Sequence, residues 1–410
     1  VNTLKQIRQI RFGIAITRTK GDLNMKHSSF KCKMAASLIS MALLSAPVAS
    51  FPSFASDSDE PIKIGIFMTF TGSNAAGGQM EFEGIQAAQN ARPEVLGRKV
   101  EFVIADNKSD DVESVTAAAS LVSANCPIVL GSPGSSYCIA AAPTFEAAGI
   151  PVITTTATNP LVTQGNECYF RPCYSDNFQG AAMAQFAAKD LGAKTVGIIT
   201  DITDTYCIGA RKYFVDTFGE ENVVADVRYN KGDQDFSAQI NAIREADPDV
   251  VFCPTQYTEA ALIQMQAHQM GYYPQFLAID SWEVQAMIDI AGKDTEGALF
   301  TCFFVAGDEP NETVQKYLDD YDAMFPGQSP KGSGTALGYD AYNIALDAIE
   351  KAGTTDSAAL IKALEENEFT CVTGQIKFDE EHDAIKDSAY IKTIKDGQFV
   401  YYALAQLDTE

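Results

Sequence analysis

The chain has 410 residues, 46% apolar and 20% charged, with 30 basic against 54 acidic side chains and a net charge of −24. That length accommodates two ordinary domains, each with its own core. The acid excess repels phosphate backbones and anionic headgroups, which excludes nucleic-acid and peripheral-membrane roles and leaves solubility as its plain purpose.

The first readable element is a leader. From Met25 the chain runs MKHSSFKCKMAASLISMALLSAPVASFPSFASDS. Lys26, Lys31 and Lys33 make a positive start, Met34–Leu44 an apolar core, and Ser53 and Ala55 a small-residue exit, so residues 25–55 read as a signal peptide cut after Ala55. The apolar run is too short to span a bilayer. Residues 1–24 fit no part of a signal and are expected to be an over-extended start, with Met25 as the first residue. No cysteine follows the apolar core where a lipid anchor would attach, so a soluble periplasmic protein is expected. Without residues 1–55 the chain keeps 22 basic and 53 acidic side chains, a net charge of −31. Eight of the nine cysteines also remain. Cys168 and Cys173 can pair only if the chain turns between them, because an extended five-residue step covers roughly 17 Å; free buried thiols fit the spacing as well.

Strands and helices then alternate. Ile62–Phe67 reads as a strand, followed by a Gly/Ser/Asn loop and a helix over Gln79–Ala91. Strand Val100–Ala105, helix Val112–Ala124, strand Ile128–Leu130, helix Ser136–Ala148 and strand Val152–Thr154 follow. After Asp176 the series restarts with helix Phe178–Asp190, strand Thr195–Thr200, helix Cys207–Phe218, strand Val223–Tyr229, helix Phe236–Glu245, strand Val250–Cys253, helix Thr258–Gln269 and strand Gln275–Ile279. The repetition defines an α/β fold of two doubly wound parallel-sheet lobes. Thr313–Met324, Thr335–Ala352 and Ser357–Glu366 read as helices, and the rest as strands joined by tight turns such as Asp396-Gly397. The chain is therefore expected to cross a hinge several times, with residues 61–174 plus 304–372 in lobe one and 175–303 plus 373–410 in lobe two. A ligand cleft then lies between the lobes, at the carboxyl ends of the strands.

Catalytic motifs are missing. No Gly-x-Gly-x-x-Gly follows the first strand, and neither a phosphate-binding Gly-x-x-x-x-Gly-Lys-Ser/Thr nor a Gly-x-Ser-x-Gly elbow occurs. Beyond the leader the chain has two histidines, His268 and His382, which leaves no zinc-hydrolase motif and few general bases. No enzyme, cofactor or metal is expected. The strand ends instead carry hydroxyls and glycines: TFTGSNAAGG (Thr69–Gly78), GSPGSS (Gly131–Ser136) and TTTATNP (Thr154–Pro160). Backbone N–H groups in such loops, with a following helix N-terminus, suit a carboxylate. Helix caps and turns would use the same residues.

At these residues the chain resembles the type I periplasmic binding proteins of the branched-chain amino-acid (Leu/Ile/Val) ABC transporter family. The likeness covers residues 61–405. Its landmarks are TGSNAAGGQMEFEG, LGSPGSS, AAPTFEAAGIPVITTTATNP, YFRPCYSDNFQG, AIDSWEV, GYDAYNIALDAI and GQIKFDEEHDAIK, in that order. The resemblance implies that Ser135, Thr156 (through its backbone) and Thr158 hold a ligand α-carboxylate in lobe one. It implies that Tyr206 closes over the ligand from lobe two and that Asp280 receives its α-ammonium. An anion site facing a cation site lets a zwitterion bridge the cleft, and a carboxylate enclosed there is costly without a cation.

Two positions depart from the family. Gly77 stands where an aromatic wall is frequent. After strand Val250–Cys253, Gln256 falls on the position of an expected tyrosine and Tyr257 one residue later, so either can face the cleft. Trp282 and Tyr339 are candidate replacement walls, although core aromatics look the same. The expected function is capture of an amino acid or related small zwitterion, branched-chain or otherwise, by a monomer that delivers it to an inner-membrane ABC permease. A sensory subunit for a chemoreceptor or kinase, or a receptor for an amide or urea, would share the fold.

Overall fold

The computed structural model describes residues 60–307 and 310–407. The leader at 25–55 and the stretch before it lie outside them. In lobe one, strand β1 (Ile62–Met68) is central, and α1 (Ala75–Ala91) follows it. The short β2 (Glu94–Val95) forms an antiparallel edge on β3 (Arg98–Asp106); α2 (Asp111–Ser123), β4 (Ile128–Leu130), α3 (Ser135–Ala148), β5 (Val152–Ile153) and β6 (Tyr169–Phe170) complete the series. The sheet order is β2-β3-β1-β4-β5-β6. Alternation along β1 explains the layers. Ile62, Ile64, Ile66 and Met68 pack under α1 and the later helices, whereas Phe67 faces Leu121 and Phe145 from α2 and α3.

Lobe two repeats the scheme. Its elements are α4 (Asp176–Lys189), β7 (Val196–Asp201), α5 (Thr205–Phe218), β8 (Val223–Tyr229), α6 (Ser237–Ala246), β9 (Val250–Phe252), α7 (Tyr257–Gln269), β10 (Phe276–Ala278), α8 (Gln285–Ala291) and β11 (Leu299–Cys302). The chain then returns to lobe one for α9 (Glu312–Met324), α10 (Ser333–Ala352) and α11 (Ser357–Glu366). The hairpin β12 (Glu368–Cys371) and β13 (Gly374–Lys377) comes next, before β14 (Ser388–Lys395) and β15 (Gln398–Gln406). The second sheet has the order β15-β14-β11-β10-β9-β7-β8, with β14 and β15 antiparallel. Their turn holds Asp396 and Gly397 at φ 52° and 69°, the left-handed pair that a tight hairpin needs.

Two boundaries differ from the sequence expectation. Helix α1 starts at Ala75, so Gly77 and Gly78 lie in its first turn and not in a loop. A Cβ on Gly78 would stand 2.0 Å from the Thr69 carbonyl oxygen, so that glycine serves close packing. The expected lobe boundary at 372/373 divides the hairpin β12–β13, whereas both its strands belong to the first core through Phe369, Ile376 and Phe378, and that core continues to Ala384. The last crossing is therefore 385–387. The others follow Phe170 and Cys302. Among the described residues Cys168 and Cys173 are free and buried, as are the six other cysteines.

Both lobes place their topological switch alike, with β1 between β3 and β4, and β7 between β8 and β9. Ligand sites form where neighbouring loops diverge from such a point. The loops after β1, β4, β7 and β9 all meet in one cleft.

Candidate functional site

The cleft lies between the lobes, lined by residues of both. Lobe one supplies Asn74, Gly77 and Glu81 from the start of α1, Pro133 and Gly134 after β4, and Thr156 after β5. Lobe two supplies Tyr206, Gln256, Tyr257 and Asp280. Phe303 in a hinge crossing and Ser333 at the head of α10 close its floor.

Each wall has a local cause. Asp204 caps α5 by accepting the Tyr206 N–H at 2.9 Å, which fixes Tyr206 in the first turn. The other oxygen of Asp204 accepts from Gln256 Nε2 at 2.9 Å. On the opposite side, α3 starts at Gly134, held at φ 88°, and no side chain caps it. That uncapped end, with its free N–H groups and positive dipole, opens beside Pro133 and Gly134.

Asp280 sits beyond β10, partly shielded, and makes two side-chain bonds. Gln179 Nε2 donates to its Oδ1 at 2.6 Å and the Tyr206 hydroxyl donates to the same atom at 3.1 Å. Gln179 Nε2 also reaches Asp176 at 2.9 Å, and its Oε1 accepts from Thr301 at 2.7 Å, so the amide is locked between two carboxylates. Burial, followed by the neighbouring Asp176 charge, pushes the Asp280 carboxyl up to about 8 against the help of Gln179 and Tyr206.

Glu81 is the acid that sequence reasoning did not single out. It is 1% exposed and accepts the hydroxyls of Thr155 and Thr156 on its two oxygens. Burial pushes it up to about 8 as well, with Asp280 across the cleft adding to the rise. A third acid, Glu283, is ion-paired with Lys392 and holds Ser333 by its N–H at 3.1 Å and its hydroxyl, tying lobe two to α10.

Of the residues expected at the site, Gly77, Thr156, Tyr206, Gln256, Tyr257 and Asp280 line the cleft together. Gln256 and Tyr257 both face it. Ser135 and Thr158 stand behind its wall: the Ser135 hydroxyl accepts the Asn159 N–H at 3.0 Å and braces the Thr154–Pro160 loop, and Thr158 is fully buried. Trp282 and Tyr339 are not walls. Trp282 is 0% exposed in the lobe-two core and donates to the Thr255 carbonyl, while the Tyr339 hydroxyl donates to Asp320.

The lobes touch across the mouth. The Tyr257 hydroxyl donates to the Ser73 carbonyl at 2.7 Å, Ser136 to Asp204 at 3.0 Å, and Lys231 to the Ser109 carbonyl at 3.0 Å. This is a closed arrangement.

A two-lobed α/β body with a polar cleft between the lobes is the architecture of a solute-binding protein. The sequence pattern of the periplasmic binding protein family matches residues 61–398, and the chain belongs to that family. It is 30% identical over 342 residues to a leucine-, isoleucine-, valine-, threonine- and alanine-binding protein of Pseudomonas aeruginosa, covering 82% of this chain and 90% of that one. Among solved structures, a leucine-binding protein of Thermotoga maritima is similar at 38% identity and a TM-score of 0.81, covering 85% of this chain and 99% of the other. A branched-chain amino acid transporter substrate-binding protein of Streptococcus pneumoniae, solved with isoleucine, aligns at 29% identity and a TM-score of 0.78, covering 85% and 99%. The protein is thus a transporter-associated binding protein of the periplasm and not an enzyme. No helix among the described residues is long and apolar enough to cross a membrane.

The raised carboxyls carry a pH prediction. The folded protein holds protons on Asp280 and Glu81 between about pH 4 and pH 8 that the unfolded chain has released. Stability of the empty protein is therefore expected to fall as pH rises through that window. The thermal shift produced by an amine-bearing ligand is expected to grow over the same window, because its ammonium restores the ionised form. Melting curves at pH 5 and pH 8, with and without ligand, check both signs.

Proposed function

We propose that the protein captures an α-amino acid between its lobes and passes it to an ABC permease, after export on a leader cut near Ala55. One observation carries this reading: the uncapped start of α3 at Gly134 faces Asp280 across the cleft, and no lysine, arginine or histidine lines that cleft to neutralise Asp280. The ligand carboxylate lies at the helix end and the ammonium on Asp280, with Tyr206 against it. The ligand therefore completes both charges and stabilises the closed arrangement by differential contact. The relatives' names, which specify leucine, isoleucine and other amino acids, support the same class.

The test is a thermal-shift screen of the mature protein against the twenty amino acids, simple amides and urea. A ligand at a hundred times its Kd stabilises the folded form by about 2.7 kcal/mol. At least one α-amino acid is expected to raise the melting temperature; if only amides or urea do so, the reading fails.

A further inference from the structure

We propose that Glu81 is a second, cation-selecting pole of the cleft, and that the cargo is an amino acid whose side chain ends in a cationic group. This rests on the amino-acid reading above and specifies the part of the ligand that reading leaves open.

Three acids line the cleft, and Glu283 already has Lys392 as its counter-ion. Glu81 and Asp280 have none: their side-chain partners are neutral hydroxyls and an amide. A ligand ammonium at Asp280 answers one of the two. Glu81, buried with only two threonine hydroxyls on its oxygens, then stays neutral, and a ligand cation beside it supplies the counter-ion that an ionised carboxylate there needs.

The geometry of α1 points the same way. Asn74, Gly77 and Glu81 are spaced i, i+3, i+7, so they share one face of the helix start, and all three line the cleft. At Gly77 a Cβ would meet no atom within 4 Å, so open space lies beside the route to Glu81. At the near end of that face, Asn74 is 5% exposed and its side-chain carbonyl oxygen is buried without a hydrogen-bond partner. An orphaned acceptor, an open gap and a carboxyl without a counter-ion on one helix face call for a donor-rich group. A terminal ammonium offers three donors and a guanidinium five, whereas an aliphatic side chain offers none. An aliphatic group placed here would leave the Asn74 acceptor unpartnered and Glu81 without a counter-ion.

Calorimetric titration of the mature protein with L-lysine, L-arginine and L-leucine tests this, on the natural chain and on Glu81→Gln and Gly77→Tyr. The natural protein is expected to bind a basic amino acid at least about tenfold more tightly than leucine, and each substitution is expected to reduce that ratio by about tenfold or more. The Gly77→Tyr chain adds bulk into open space, so it informs even if Glu81→Gln fails to fold. Tighter binding of leucine than of either basic amino acid overturns the proposal and leaves the amino-acid reading standing. An unchanged ratio in both variants also overturns it. Binding of no α-amino acid at all defeats the amino-acid reading itself.

Discussion

Asp280→Asn is expected to weaken amino-acid binding by at least about 2 kcal/mol, roughly thirtyfold in Kd, because it removes one partner of an enclosed charge pair. The substitution keeps the side-chain shape and can still meet the Tyr206 hydroxyl. It also removes a carboxylate that stands close to Asp176 with only Gln179 between them. The empty variant is therefore expected to melt no lower than the natural protein at pH 8, where the natural carboxyl is half ionised. Loss of binding together with retained or raised stability separates a ligand contact from a folding defect. Calorimetry and a melting curve on the same preparation read both. A variant that binds as tightly as the natural chain would remove Asp280 from the site.

Arg171→Ala is expected to have the largest effect on stability, about 3–5 kcal/mol, measured by denaturant unfolding. Arg171 is 0% exposed and lies just after β6, where the chain leaves lobe one. Its Nη2 donates to both oxygens of Asp383 at 2.7 and 2.6 Å and to the Thr163 hydroxyl at 2.9 Å, while Nη1 donates to the Asn159 carbonyl at 2.7 Å. Its backbone also bridges the 382–384 segment, accepting from the Ala384 N–H and donating to the His382 carbonyl, each at 2.9 Å. One side chain thus ties the first hinge crossing, the Thr154–Pro160 loop and the approach to the last crossing together. Arg171→Lys is expected to rescue little, since a point ammonium cannot serve four acceptors spread over a planar fork. Full stability in Arg171→Ala would show that the network is dispensable.

The βα alternation was legible because each strand is a short apolar run between helices with clear periodicity, and the parallel topology follows from that order. Strands β6 and β11 escaped for a physical reason. Tyr169–Phe170 has two residues, and Leu299–Cys302 lies within an apolar run that periodicity alone does not assign. The start of α1 was misplaced because Gly77-Gly78 reads as a turn locally, whereas Gly78 is demanded by the Thr69 carbonyl of another element. The hairpin β12–β13 carries a strand pattern that does not state which sheet or core it joins. Packing against α10 decides it.

The site divides in the same way. Asp280 and Tyr206 were visible because each follows a strand end in a fixed order of landmarks. Glu81 was present in QMEFEG, but an acid one turn into a helix reads as a solvent-facing residue unless the cleft beside it is known. Its i, i+4 relation to Gly77 was the available signal. Ser135 and Thr158 were placed by resemblance, and the structure sets their hydroxyls behind the loop that Ser135 braces.

The most direct test of an amino acid bridging the two lobes is a crystal structure of the mature protein with whichever amino acid most raises its melting temperature. The account predicts the ligand α-nitrogen within hydrogen-bond distance of Asp280, about 3 Å, and its carboxylate at the α3 start beside Gly134. A ligand bound in the reverse sense, with its carboxylate toward Asp280, or bound outside this cleft, would contradict it.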